Sequence, residues 1–165
     1  LTHHNFSSRS EEATIRTIIE AYLAQGVIPI VNENDITSTP EQLFGDNDQL
    51  SANVAYATNA ELLVILSDID GYYDKNPSEH KDAKLYKTIT ELPEDVLQDD
   101  STPNNPFATG GIVTKLKAAD FLMKRGKKML LCNWFDLSAA ESFLLKGEHT
   151  LGTLFTGEKQ KKPKA

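Results

Sequence analysis

Cysteine is almost absent: Cys132 stands alone, so no disulfide can close within the chain. That usage fits a reducing compartment, and a cytoplasmic location is expected. A basic surplus is also missing, since 17 Lys and Arg face 24 Asp and Glu for a net charge of −7. General nucleic-acid binding needs a basic face to displace counterions, so no nucleic-acid partner is expected. A nucleotide is not excluded, because backbone N–H groups and a few lysines can meet its phosphates. No apolar run approaches the roughly 20 residues that span a bilayer, and no membrane partner is expected. The opening residues Leu1-Thr2-His3-His4-Asn5 are polar and do not read as a signal peptide. Position 1 is not Met, so the natural start is expected elsewhere and the chain is expected to be part of a longer protein. His3, His4, His80 and His149 have no metal-ligand spacing, and no metal site is expected.

What is present is the material of one ordinary domain of 165 residues. A helix is expected from about Ser10 to Gln25, with Ser8 or Ser10 as cap and Glu11 and Glu12 in its first turn. Its apolar stripe is Ile15, Ile18, Ile19, Tyr22 and Leu23, and Gly26 ends it. Three short apolar runs read as buried strands: Val27–Val31, Glu61–Leu66 and Lys128–Cys132. Pro29 is a mild objection to the first. Further helices are expected over Leu50–Thr58, Ile112–Arg125 and Leu137–Leu145. Leu85–Ile89 and Thr153–Phe155 read as short strands, and Pro93–Leu97 as a short helix. Helices alternating with buried strands predict an α/β fold, a three-layer αβα sandwich on a mainly parallel sheet. Residues 1–157 read as one domain and the basic stretch 158–165 as a disordered tail.

The polar residues are unevenly spread. Asn32-Glu33-Asn34-Asp35 is followed by Phe44-Gly45-Asp46-Asn47-Asp48-Gln49-Leu50-Ser51-Ala52. Turn and cap chemistry accounts for one or two such residues, not for six Asn and Asp residues within seventeen positions. Ser67-Asp68-Ile69-Asp70-Gly71-Tyr72-Tyr73 follows the second apolar run. As a calcium loop it fails, because Tyr72 occupies the position where an acid or amide is needed. It reads better as a loop that packs on a base or ribose, although a tight turn after a buried strand would look the same. Thr109-Gly110-Gly111-Ile112-Val113-Thr114-Lys115 combines two glycines, a helix start and a lysine one turn in, the parts of a phosphate cradle. It is not a Walker A loop, and a Gly-Gly pair before a helix is often only a loop. Cys132, Trp134 and Phe135 read as packing residues.

Together these segments resemble the amino-acid kinase family, and within it the branch whose acceptor is the γ-carboxylate of glutamate. The resemblance runs from Leu1 to about Phe155. It implies a carbamate-kinase-like fold and transfer of a phosphoryl group from ATP, with Mg²⁺, to glutamate as a first step of proline biosynthesis. Asp35 and Asn47 would bind glutamate, with Asn32 and Asp46 close by. Ser67 and Asp68, with Thr109, Gly110, Gly111, Ile112, Val113, Thr114 and Lys115, would bind ATP. Lys115 would be catalytic, and Asp48 would orient the catalytic lysines. The family also implies a homo-oligomer and feedback inhibition by proline, through residues Ile36 to Leu43. Its opening strand, with a Lys-x-Gly-Ser segment, and its second Gly- and Ser-rich loop are not in this sequence. The 165 residues alone are therefore expected to be inactive or badly crippled. The alternatives are a family member with another acceptor, aspartate or UMP, and a non-catalytic nucleotide- or amino-acid-binding module.

Overall fold

Ser8 caps the first helix, α1 (Arg9–Ala24): its hydroxyl accepts the Glu11 N–H at 3.3 Å and meets the Glu11 carboxylate at 3.0 Å. The computed structural model describes residues 1, 6, 8–32, 46–97 and 110–157. Of the apolar stripe on α1, only Ile15 and Ile19 are buried, while Ile18, Tyr22 and Leu23 are about half exposed. Gly26, at φ +73°, turns the chain out of the helix.

The run from Val27 to Val31 departs from expectation. It forms no strand, and Ile28 and Ile30 stand 83 % and 96 % exposed. Among the described residues no strand pairs with it. Pro29, Val31 and Asn32 instead wall a cavity of 410 Å³ whose other walls are helix α2 (Asp46–Ala57) and Leu62 and Leu63. An apolar run becomes a strand only when a neighbour supplies ladder partners, and none of the described residues does so here.

The sheet has four strands: β1 (Leu62–Ser67), β2 (Thr88–Ile89), β3 (Lys128–Asn133) and β4 (Thr153–Thr156), in the order β1-β3-β4-β2. β1 and β3 are parallel and in register from Leu62↔Lys128 to Ser67↔Asn133. β4 runs antiparallel to β3 and parallel to β2, so the sheet is mixed. Strand side chains alternate between two faces. Leu63, Ile65, Met129, Leu131 and Phe155 pack with α2 and with α3 (Gly110–Met123). Leu62, Val64, Leu130 and Cys132 pack with Ala139 and Ala140 of α4 (Ser138–Glu141) and with Phe143. These are the three expected layers. Val113, Leu116, Ala118, Ala119 and Leu122 of α3 are almost wholly buried, each leucine contributing about 1.5–3 kcal/mol.

Several boundaries differ from the sequence reading, and the strand expected over Leu85–Ile89 is only Thr88–Ile89. α2 begins at Asp46 rather than Leu50, which puts the acidic residues in its first turn, where the helix dipole favours them. The expected short helix after Pro93 is a 3₁₀ turn, Glu94–Leu97. The helix expected over Leu137–Leu145 divides into α4 and a wider π turn, Ser142–Lys146, ended by Gly147 at φ +70°.

Candidate active site

α2 and α3 lie side by side and point the same way. Near their starts, the Asp48 carboxylate accepts from Lys115 Nζ at 3.2 Å and from Thr114 Oγ1 at 2.7 Å. Near their ends, Tyr56 meets Phe121 edge-to-face at 5.9 Å, with the Arg125 guanidinium 3.7 Å from the Phe121 ring centre. Two helix N-termini are thereby brought to one place, and their free N–H groups favour an anion there. The Lys115–Asp48 pair is largely sheltered, each side chain under 20 % exposed. Lys115 also donates to the Gly111 carbonyl at 3.3 Å, so its ammonium is held over the first turn of α3.

The second component is the edge where β1 and β3 end together. Ser67 and Asn133 are register partners, and the Ser67 carbonyl accepts the Trp134 N–H at 2.8 Å. Ligands of parallel sheets bind beyond such carboxyl ends. A cavity of 330 Å³ opens there, lined by Ser67, Asp68, Ile69, Tyr72 and Tyr73, by Asn76, Pro77 and Ser78, and by Gly111, Ile112 and Lys115. Its lining pairs a lysine and a helix start, suited to phosphates, with flat apolar side chains, suited to a base. Ser67 Oγ donates to the Asp68 carboxylate at 3.0 Å. Burial raises the pKa of the Tyr72 and Tyr73 phenols above the usual value, and for Tyr73 the bond to Asp70 adds to the effect.

The loop that carries these tyrosines is clamped from behind. Buried Thr153 accepts the Tyr72 N–H at 2.8 Å and donates to the Tyr86 carbonyl at 2.6 Å. Gly71 is needed for this approach, since a Cβ there would come 2.6 Å from Thr153 Oγ1 and 2.9 Å from Leu85.

Of the residues expected to meet ATP, the structure therefore gathers Ser67, Asp68, Gly111, Ile112 and Lys115 around one cavity. Val113 is fully buried in the core, and Thr114 turns to Asp48 rather than to the cavity. Gly110 starts α3, while Thr109 lies outside the described residues. Of those expected to meet glutamate, Asn32 and Asn47 face the 410 Å³ cavity beside α2. Asp46 opens that helix, and Asp35 lies outside the described residues, as do residues 36–43 and 158–165. Sequence reasoning missed Asn76, Pro77 and Ser78 as lining residues, and the signal that could have found them is the Asn76-Pro77 pair, a turn marker. It also missed Thr153 and Asn133, whose roles depend on distant partners.

Among the described residues no three or more His, Cys, Asp or Glu side chains cluster as a metal cage would require. The cavity fits instead an ion that arrives on nucleotide phosphates, the usual mode of Mg²⁺, with Asp68 as the carboxylate lining it. No helix among the described residues is long and apolar enough to cross a membrane.

Known proteins share this sequence and fold. A glutamate 5-kinase of Wolinella succinogenes is 56 % identical over 159 residues, covering 94 % of this chain and 61 % of the relative. One from Leishmania donovani is 52 % identical over 155 residues, covering 94 % and 59 %. The chain thus spans about three-fifths of the length of these curated relatives. The solved structure of UMP kinase from Bacillus anthracis shares the fold at a TM-score of 0.57 and 19 % identity, covering 87 % of this chain and 52 % of that one. Residues 1–133 match the profile of the amino acid kinase family, and the chain belongs to that family.

Proposed function

We propose that the protein of which this chain forms part is a glutamate 5-kinase, transferring the γ-phosphoryl group of ATP to the γ-carboxylate of L-glutamate. The observation that carries the reading is the sheltered Lys115–Asp48 pair, which holds a cation where two helix starts meet beside the 330 Å³ cavity. The names of the similar proteins support the acceptor.

The chemistry asks little covalent work of the protein. A glutamate carboxylate is ionised at neutral pH and needs no general base. One of its oxygens forms a bond to the γ-phosphorus while the bond from that phosphorus to the β,γ-bridging oxygen breaks. The products are γ-glutamyl phosphate and ADP. The obstacle is repulsion between two anions, so alignment and charge neutralisation are the catalytic tasks. Lys115 supplies positive charge to the transferring group, and Asp48 fixes its direction. The start of α3, at Gly110 and Gly111, offers N–H groups to the phosphates. Ser67 and Asp68 line the same cavity, and Mg²⁺ bound to the nucleotide adds further neutralisation. Asn47 and Asn32, with Asp46 and Asp35, form the glutamate side, where carboxylates grip the substrate ammonium.

A homo-oligomer inhibited by proline through residues 36–43 belongs to the same proposal. Inhibition that survives replacement of those residues would sink that part. The test of the activity is ADP release by the full-length protein in Mg²⁺-ATP with glutamate, aspartate or UMP. Release with glutamate alone is expected. Release with another acceptor would keep the fold and overturn the substrate, and ATP binding without release would favour a binding module.

A further inference from the structure

Asp70, in the loop after β1, is an acidic residue that the reaction above leaves without a role. It does not line the cavity, and it is exposed. Both of its oxygens are nonetheless engaged. Oδ2 accepts from the Tyr73 hydroxyl at 3.0 Å, and Oδ1 accepts from Asn133 Nδ2 at 2.8 Å. Asn133 is the last residue of β3, 63 positions away. Its own Oδ1 accepts the Phe135 N–H at 2.7 Å. That backbone bond settles which way the amide faces, because the oxygen must meet an N–H and the NH₂ group then points at the carboxylate.

The result is a continuous chain of side-chain bonds from the end of one strand to an aromatic ring in the cavity wall. Tyr73 lines the cavity together with Tyr72, Ile69 and Pro77. Thr153 clamps the loop at the Tyr72 backbone, while the Tyr73 hydroxyl is held by Asp70. A tyrosine ring in a partly exposed loop has several rotamers open to it, and the Asp70 bond selects among them.

We infer that Asp70 and Asn133 are positioning residues for nucleotide binding: they hold the Tyr73 ring as a preformed wall for the base of the donor. The inference rests on the proposed nucleotide site and adds residues to it from outside the cavity. A preformed wall binds more tightly than one ordered only when ligand arrives.

Asn133→Asp makes the sharpest test because size and the Phe135 bond are kept. The contact with Asp70 becomes a meeting of two carboxylates, which pushes Asp70 away from Tyr73. Asp70→Asn in the same protein reverses this, since the new amide can donate to position 133 and still accept from Tyr73. The measurement is the Kd of ATP by calorimetry on the full-length protein, with the thermal midpoint as a check on folding and the KM for glutamate as a check on the rest of the site. Asn133→Asp should weaken ATP about three- to tenfold, the range of one net hydrogen bond. The double variant should recover most of that loss, and the KM for glutamate should not move. Unchanged ATP affinity in Asn133→Asp, or a loss the second substitution does not rescue, overturns the inference. A wild-type protein that fails to bind ATP at all overturns the nucleotide site itself, a distinct result.

Discussion

Lys115 and Asp48 are 67 positions apart, and each shelters the other's charge. Lys115→Ala should leave ATP binding measurable but lower kcat about 100- to 1,000-fold in the full-length protein, the usual cost of losing a charge aimed at a transition state. Asp48→Asn keeps the size and loses the charge. Thr114 can still donate to the amide oxygen, but the lysine is no longer drawn to it, and kcat should fall about 10- to 100-fold with little change in ATP affinity. Steady-state assays of the two variants, with nucleotide affinity measured separately, check both outcomes. Cys132 makes the opposite case. It is fully buried, and burial raises its thiol pKa, so the folded protein should resist alkylation at pH 8 and react only on denaturation, as mass spectrometry would read. The sequence already marked Lys115 and Cys132, because each stands within a readable local pattern. The partners of Asn133 and Thr153 are 63 and 81 positions away, and no local pattern announces them.

Among elements, those that were legible are the ones whose packing repeats at short range. β1, β3 and α3 fall within two or three residues of the expected bounds because their apolar runs are buried by the sheet and its helices. The run 27–31 has the same composition and no strand neighbour among the described residues, so composition misled. α2 was placed late because Asp46, Asn47 and Asp48 look like turn residues, yet in a first helical turn they complement the dipole. The 68–87 loop is held by a hydroxyl. Thr153→Val should cost about 1–3 kcal/mol in denaturant unfolding, because it strands the Tyr72 N–H and the Tyr86 carbonyl behind a side chain of equal size. Gly71→Ala strikes the same clamp from the other side and should also weaken ATP binding, since the loop must withdraw from Thr153.

At the scale of the whole molecule, an apolar face stands uncovered among the described residues, on and beyond α1. Ile18, Tyr22 and Leu23 on α1 and Ile28 and Ile30 beyond it all stand about half exposed or more. Contiguous apolar surface of this kind drives association. The 165-residue chain by itself should therefore self-associate with rising concentration in sedimentation velocity, and Ile28→Lys with Ile30→Lys should suppress this without lowering the thermal midpoint. Two cavities complete the picture at this scale. The one by the strand ends and the one beside α2 have no lining residue in common. The Asp48 carboxylate, held by Lys115 and Thr114, bridges the two helices at their starts.

That separation has an evolutionary consequence. Under the proposed function, substitutions that reshape the wall at Asn32, Asn47 and Ser51 would alter acceptor recognition and leave the lining of the other cavity as it is. A scaffold divided in this way would diversify its acceptors by drift on one side alone, with selection guarding the bridge between them.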